Sequence, residues 1–320
     1  MRRIFSAIAS RVVIAVPYAW LLFFFLIPFV IVFKISLSDL AISMPPYTPA
    51  LEGLRDFFAR LSEFDLENYH LLMCDLLGYI GIGADLCQGG FSIDFFERPY
   101  LSVAYFSSLK IAAVSTFLTL LVGYPVAYAM ARAPQSMRPT LLMLVILPFW
   151  TSFLIRVYAW IGILKPEGLL NQLLLNIGLV NEPLVIMNTN TAVYIGIVYS
   201  YLPFMVLPLY SALEKLDHSL IEAAQDLGCR PLSAFWKITF PLSLPGVVAG
   251  CLLVFIPAVG EFVIPDLLGG SRTLMIGKTL WSEFFNNRDW PLASAVAIIL
   301  LLILVVPIVL FQRAQARAQE

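Results

Sequence analysis

The chain has 320 residues, of which 60% are hydrophobic and only 13% are charged, and its formal net charge is −1. Soluble domains carry about 25% charged residues, so this composition and a mean hydropathy of +0.87 exclude an ordinary soluble domain. We therefore expect an integral membrane protein.

Six segments are long and apolar enough to be spanning helices, which need about 20 mostly apolar residues. They lie at residues 13–33, 103–131, 139–164, 190–213, 238–260 and 292–311. The first follows three arginines, as the core of a cleaved signal peptide would. Its apolar run is too long for a typical signal core, and no small-residue cleavage site follows it. We predict a retained first span and an all-α protein with six transmembrane helices.

Charge gives the orientation, because short segments rich in Lys and Arg stay on the cytoplasmic side. Three short segments contain arginines, namely Arg2, Arg3 and Arg11, then Arg132 and Arg138, then Arg313 and Arg317. The long segment from residue 35 to residue 100 instead has ten acidic and three basic residues, a net charge of −7. Both termini are therefore predicted to be cytoplasmic, and so is the segment at 214–237.

These assignments divide the chain into four parts. They are an N-terminal segment with the first helix at 1–34, an acidic periplasmic loop at 35–102, a transmembrane domain of five helices at 103–312, and a cytoplasmic tail at 313–320. Two interpretations of the loop stay open. It is either a solvated domain whose charge has little effect, or a surface that attracts cations or a basic partner.

Cys74 and Cys87 share this outer loop, where an oxidising exterior would allow a disulfide. The bond would close a short ring and contribute about 3 kcal/mol in the chain-entropy model. Two free thiols are the alternative. Cys229 and Cys251 are expected to be reduced, and the cysteine spacing does not indicate a metal site.

Residues 217–237 are predicted to form two short helices joined by a sharp turn. Ser219 and Glu222 have the spacing of a capping box at the start of the first helix. Gly228 suits the left-handed residue that ends it, and Pro231 suits the first position of the second helix. The second helix is expected to end with this segment, before the next span begins.

One face of the first short helix carries small and apolar residues. Leu220, Ala223, Ala224 and Leu227 share it at helical spacing. The two alanines leave a shallow surface that the groove of a partner could approach closely. The alternative is an ordinary amphipathic helix that lies on its own bundle, with Glu222 serving only as a cap.

The spacing of the whole segment resembles the signature cytoplasmic loop of binding-protein-dependent ABC importer permeases. The matching positions are Glu222, Ala223, Ala224, Gly228, Ile238, Phe240 and Pro241, with Phe240 where leucine is usual. The resemblance implies the fold of a type I ABC importer permease. It also implies that the first short helix is a coupling helix that docks into a groove of an ATPase subunit. The coupling residues would be Glu222, Ala223, Ala224, Leu227 and Gly228.

A wider region, from about residue 99 to residue 312, resembles the permease subunits of bacterial polyamine importers, and most closely the putrescine type. Residues 147–158, 257–270 and 284–291 carry this resemblance, whereas the outer loop matches only weakly. The resemblance implies a multi-pass permease in the bacterial cell inner membrane. Its partners would be a second, identical or homologous permease subunit, cytoplasmic ATPase subunits and a periplasmic polyamine-binding protein. No cofactor and no nucleic acid is expected.

Alternatives to this function remain. The solute could be spermidine or another small cation rather than putrescine. A secondary transporter acting alone would often show inverted repeats, and no convincing repeat relates spans 1–3 to spans 4–6. Gly277-Lys278-Thr279 resembles the end of a phosphate-binding loop, but that loop needs glycine at position 272, where arginine stands. The chain is therefore not expected to be an enzyme, and ATP hydrolysis would belong to a separate subunit.

Charged residues near the outer ends of the spans are candidates for the solute path. Arg156 lies about eight residues from the end of the third span, which predicts a depth of roughly 12 Å below the outer surface at about 1.5 Å per residue. A charge at such a depth usually faces protein or a watery cavity. Glu261 and Asp266 could form an anionic mouth for ammonium groups, and Tyr158 could add cation–π attraction. The alternative is that Arg156 pairs with Glu261 or reaches outward to the surface.

Overall fold

The computed structural model describes most of the chain. The described residues are 13, 15–49, 65–81, 100–217, 219–271 and 273–319. They belong to two compact units. One combines the described residues of 1–99 with 280–303, and the other combines those of 100–279 with 304–320.

The first unit contains one spanning helix and a small polar region. Helix α1 (Ala15–Ser36) includes a π-helical stretch. It is followed by strands β1 (Asp39–Leu40) and β2 (Tyr47–Thr48), which pair antiparallel, and by helix α2 (Glu67–Ile80). Two hydrogen bonds from Asn68 Nδ2, to the carbonyl oxygens of Ser36 (3.2 Å) and Ser38 (2.9 Å), attach α2 to the end of α1. The predicted outer loop therefore contains secondary structure of its own.

The remaining helices follow in chain order. They are α3 (Tyr100–Arg132), α4 (Arg138–Ile146), α5 (Phe153–Leu164), α6 (Leu169–Asn176), α7 (Asn190–Glu214), α8 (Ser219–Asp226), α9 (Pro231–Val259), α10 (Val263–Leu267), α11 (Ile276–Trp281) and α12 (Trp290–Gln319). A 3₁₀ turn at Leu147–Trp150 extends α4. π-Helical stretches lie within α9 at Phe235–Thr239 and after α11 at Ser282–Asn286.

Five of the six predicted spans are continuous helices. In the described part of the chain, α1, α3, α7, α9 and residues Trp290–Val309 of α12 are long and apolar enough to cross a membrane. The third predicted span differs, because α4 with its 3₁₀ turn and the following pair α5–α6 meet at an angle of 88°. Counted as one broken span, they make the sixth.

The break in the third span has a local cause. Pro148 is the second residue of the 3₁₀ turn, and Thr151 (φ −94°, ψ 152°) and Ser152 (φ −56°, ψ 136°) leave the helical region before α5 begins. A proline cannot donate the backbone hydrogen bond of a continuing helix. Arg156 therefore lies in the first turn after a bend, so the predicted depth of roughly 12 Å, which assumes an unbroken helix, does not follow from its position in the chain.

Helices α3, α7 and α9 pack together through a common core. It includes Tyr124, Ala127 and Met130 of α3, Met205 and Leu209 of α7, and Val247 and Val254 of α9. Small residues allow the backbones to approach, as is usual between membrane helices. A Cβ atom added to Gly246 of α9 would lie 2.9 Å from the carbonyl oxygen of Pro208 and 2.5 Å from the Cβ of Ala212, both on α7.

The close approach at Gly246 predicts that Gly246→Ala destabilises the protein, because neither neighbouring atom belongs to a flexible side chain. Overpacking of this kind typically costs about 1–3 kcal/mol. Gly162→Ala in α5 is the matched control, since an added Cβ there has no neighbouring atom within 4 Å. Thermal unfolding in detergent compares the two variants. Equal stability of both would contradict the assigned packing.

Candidate functional site

Helix α8 has well-defined ends. At its start, Oδ1 of Asp217 accepts the N–H of Ser219 (2.9 Å). The capping box predicted at Ser219 and Glu222 does not form among the described residues. At its end, the N–H groups of Gly228 and Cys229 donate to the carbonyls of Gln225 (2.8 Å) and Ala224 (2.9 Å), and Gly228 has φ +81°. This is the Schellman motif, so the predicted left-handed stop at Gly228 is confirmed.

The second predicted helix of this segment begins where expected, at Pro231. The prediction that it ends near Lys237 is wrong, because α9 runs without interruption from Pro231 to Val259. Pro241 removes the hydrogen bond that the carbonyl of residue 237 would accept. That carbonyl lies within the π-helical stretch at Phe235–Thr239, and local π adjustments of this kind re-satisfy freed backbone groups.

The predicted contact face of α8 is largely free of the rest of the described chain. Leu227 is 89% exposed, Leu220 and Ala223 are exposed, and Ala224 is half-buried. Outside this face, Ile221 is half-buried and lines a crevice together with Tyr128 and Arg132. The small and apolar face therefore points away from the described part of the bundle.

Glu222 lies beside a polar cleft at the end of the helices that is predicted to face the cytoplasm. Together with Arg132, Ile221 and Gln225 it lines a space of about 320 Å³. The guanidinium of Arg132 lies 5.1 Å from the centre of the Tyr128 ring. Within the described residues Glu222 has no hydrogen bond or ion pair, so its carboxylate remains available to a partner.

Glu261 follows the end of α9 and is only 8% exposed. Its Oε1 accepts the N–H groups of Phe262 (3.1 Å), Val263 (3.0 Å) and Ile264 (3.3 Å), and its Oε2 accepts the hydroxyl of Tyr201 in α7. These amides are the donors that a helix leaves unpaired in its first turn. Glu261 therefore caps α10 and joins it to α7, with both carboxylate oxygens occupied.

Arg156 lies in α5 and is 9% exposed. Its guanidinium lies 5.1 Å from the centre of the Phe149 ring and 5.7 Å from that of Phe153, at cation–π distances. Among the residues that the structure describes, its Nε has no hydrogen-bond partner, and the alternative pairing with Glu261 does not form. Tyr158, two residues on, has an exposed ring.

Asp266 is the second predicted carboxylate, and its surroundings differ from those of Glu261. Its Oδ1 lies 3.2 Å from Nζ of Lys278, and the side chains are 47% and 33% exposed, respectively. This ion pair was not predicted from the sequence, because Asp266 and Lys278 are 12 residues apart and Gly277-Lys278-Thr279 resembles only the end of a phosphate-binding loop. In the structure Gly277 lies against the carbonyl oxygens of Gly260 and Glu261, so its lack of a side chain serves packing.

A polar cleft of about 850 Å³ lies next to Lys278. Its walls come from Asn188, just before α7, from Asn190 at the start of α7, and from the segment between α10 and α11, including Thr273. Thr273 Oγ1 donates to Asn190 Oδ1 (2.8 Å), and the N–H of Asn188 donates to the carbonyl of Leu268 (3.0 Å). Sequence reasoning missed this cleft, since its residues are distant along the chain.

The outer region contains an acidic group and one of the predicted cysteines. Carboxylate oxygens of Asp39, Asp65 and Glu67 lie within 4.8 Å of one another. Desolvation, and then the negative charge of Asp65, raise the pKa of Asp39 above its usual value. We assign no ligand to these exposed acids.

Cys74 is buried in α2, whereas Cys87 lies outside the described residues, so their disulfide stays a prediction.

Comparison with known proteins gives consistent results. The family described as "Binding-protein-dependent transport system inner membrane component" matches residues 117–319. The spermidine/putrescine transport system permease protein PotB of Haemophilus influenzae is 38% identical over 305 residues, which cover 95% of this chain and 93% of that protein. PotB of Escherichia coli is 45% identical over 228 residues, which cover 70% of this chain and 82% of that protein.

A solved structure shares the fold. The crystal structure of a bacterial ABC transporter involved in the import of the acidic polysaccharide alginate matches 99% of this chain and 100% of its own, with a TM-score of 0.59 and 15% identity. The fold is therefore that of ABC importer permeases, as the resemblance implied.

The capping role of Glu261 predicts that Glu261→Ala lowers stability, because three amides and the Tyr201 hydroxyl lose their acceptor. An unsatisfied buried donor costs about 1–3 kcal/mol. Glu261→Gln should lose less stability than Glu261→Ala, since the oxygen of the glutamine amide can still accept hydrogen bonds. Glu182→Ala, at an exposed position, is the control. The free energy of unfolding in detergent is the measurement, and a Glu261→Ala variant as stable as the control would rule out the cap.

Proposed function

Because the chain belongs to the family of binding-protein-dependent transport system inner membrane components, we propose that it is the permease subunit of an ATP-driven polyamine importer. The observation that carries this proposal is the identity of 38% over nearly the full length of both chains with a permease named for spermidine and putrescine. The solute path would lie between this chain and a second, homologous permease subunit.

The exposed face of α8 supports its role as the coupling helix. Ala223 and Leu227 would enter a groove on a cytoplasmic ATPase subunit, with Glu222 at the rim. An unpartnered small and apolar face on a polar loop fits a protein contact better than contact with water. The Schellman motif at Gly228 and the start of α9 at Pro231 hold α8 in a fixed direction.

The orientation of the chain agrees with this assignment. Arg132 lines the same cleft as Glu222, and Arg138 pairs with Glu214 at 3.2 Å. These two predicted cytoplasmic bases thus lie at the same end of the bundle as α8, in agreement with the positive-inside rule. Both termini would be cytoplasmic, and a periplasmic polyamine-binding protein would deliver the solute to the opposite end.

Energy for transport would come from a separate ATPase. Binding of ATP would favour one of two conformations of the ATPase pair, and α8 would transmit that preference to α9. Such a shift requires only that the nucleotide binds the two states with different affinities. The permease itself would perform no covalent chemistry and would need no cofactor.

We place the ammonium-binding part of the path near Asp266 and Tyr158. Asp266 is half-exposed and anionic, and the exposed ring of Tyr158 offers cation–π attraction. Arg156 has the same sign of charge as the solute and would shape the path rather than bind the amine. Glu261 would support the path by fixing α10. Putrescine is the first candidate solute, with spermidine as the alternative.

Uptake by the reconstituted complex tests this function. The complex of this chain with its second permease, ATPase and binding protein should import labelled putrescine into proteoliposomes only with ATP, and excess spermidine should reveal whether both amines compete. Leu227→Asp should abolish uptake because the charge disrupts the coupling face. Leu179→Asp, at another exposed leucine, should not.

Two results would contradict the proposal. Uptake without ATP that also survives Leu227→Asp would indicate a transporter that acts alone. Transport of a different solute, with no competition by either amine, would overturn the assignment of the substrate.

A further inference from the structure

We propose that Lys278 is a tethered competitor of the transported amine. Its ammonium group occupies the Asp266 carboxylate in the resting permease, and an ammonium group of the solute takes its place during uptake. Asp266 is thereby a binding site for primary alkylammonium groups. This inference rests on the proposed function, since it requires an amine as the solute.

The geometry places both partners on well-anchored helices. Nζ of Lys278 lies 3.2 Å from Oδ1 of Asp266. The Oγ of Ser108 in α3 accepts the N–H of Ile276 (2.7 Å) at the start of α11, and Gly277 lies against the backbone at Gly260. The backbones of α10 and α11 are therefore fixed, and the ion pair can open by rotation of the lysine side chain alone.

The chemistry of the two cations is the same. A lysine side chain is four methylene groups that end in a primary ammonium, which is also the end group of a short aliphatic diamine. A carboxylate accepts both through the same charge-assisted hydrogen bonds. Ion pairs between partly exposed groups contribute little to stability, so an incoming ammonium can replace Lys278 without unfolding the site.

Glu261, the other predicted carboxylate, is not available to bind an ammonium group. Both oxygens of Glu261 already accept hydrogen bonds, from three backbone amides and from Tyr201, and its side chain is almost fully buried. Within the described part of the chain, the Asp266 carboxylate has one ion-pair partner, Lys278, and its side chain is half-exposed. The lysine is thus the group that an amine must displace.

When Lys278 leaves Asp266, its ammonium group can enter the neighbouring polar cleft. It lines the polar cleft, where the side chains of Asn188, Asn190 and Thr273 carry oxygen atoms that can accept hydrogen bonds from an ammonium group. The lysine can therefore exchange Asp266 for these acceptors. The exchange explains why a cation stands next to the path of a cationic solute.

The test is the KM for putrescine in the reconstituted complex. Lys278→Met should lower KM by about twofold to fivefold, the range that an exposed ion pair allows, whereas Lys278→Arg should leave it near the wild-type value. Asp266→Asn should raise KM. In the Asp266→Asn background, Lys278→Met should have no further effect, because the competitor acts only through Asp266. Lys165→Met, at an exposed lysine without an ion pair in the described chain, is the control.

The outcomes separate the competitor from a purely structural ion pair. If the pair only stabilises the fold, Lys278→Met and Asp266→Asn both lower uptake, because each reduces the amount of assembled complex. That result would overturn the inference. An unchanged KM in Lys278→Met also overturns it. Absence of amine uptake in the wild-type complex would instead refute the proposed function itself.

Discussion

The packing of α3, α7 and α9 is the interaction on which the other features depend. In a membrane the backbone hydrogen bonds must be made within the helices, so specificity comes from close contacts such as Gly246 against Pro208. The same three helices position both ends of the site. Arg132 and Glu214 at one end lie near α8, while Asn190, Tyr201 and Glu261 organise the other end.

Helix α9 connects these two ends directly. It starts at Pro231, shortly after the end of α8, and ends at Val259, just before Glu261. Its 29 residues correspond to about 43 Å at about 1.5 Å per residue. A displacement of α8 by a partner would therefore reach the cap of α10 through one continuous helix. Helix α9 could therefore transmit the proposed coupling, because a rigid helix with a defined contact at each end can link two conformational states.

Sequence alone predicted the features that depend on local composition. The spans follow from hydrophobic length, and the stop at Gly228 and the start at Pro231 follow from backbone conformations that few other residues favour. Prediction from sequence failed where hydropathy favours a continuous helix and a proline favours a break. Pro148 bends the third span whereas Pro241 is absorbed within α9, and hydropathy does not distinguish the two cases. It also could not show that Glu261 caps α10 or that Lys278 meets Asp266, since both depend on tertiary placement.

The most direct test of the central claim is whether an ATPase holds the exposed face of α8. A photo-reactive benzophenone amino acid at position 227 of the assembled complex should cross-link to the ATP-hydrolysing subunit, and the same probe at Leu179 should not. The account predicts capture from position 227, with a yield that changes when ATP binds. No capture there, or reaction of that position with a membrane-impermeant reagent added outside intact cells, would contradict it.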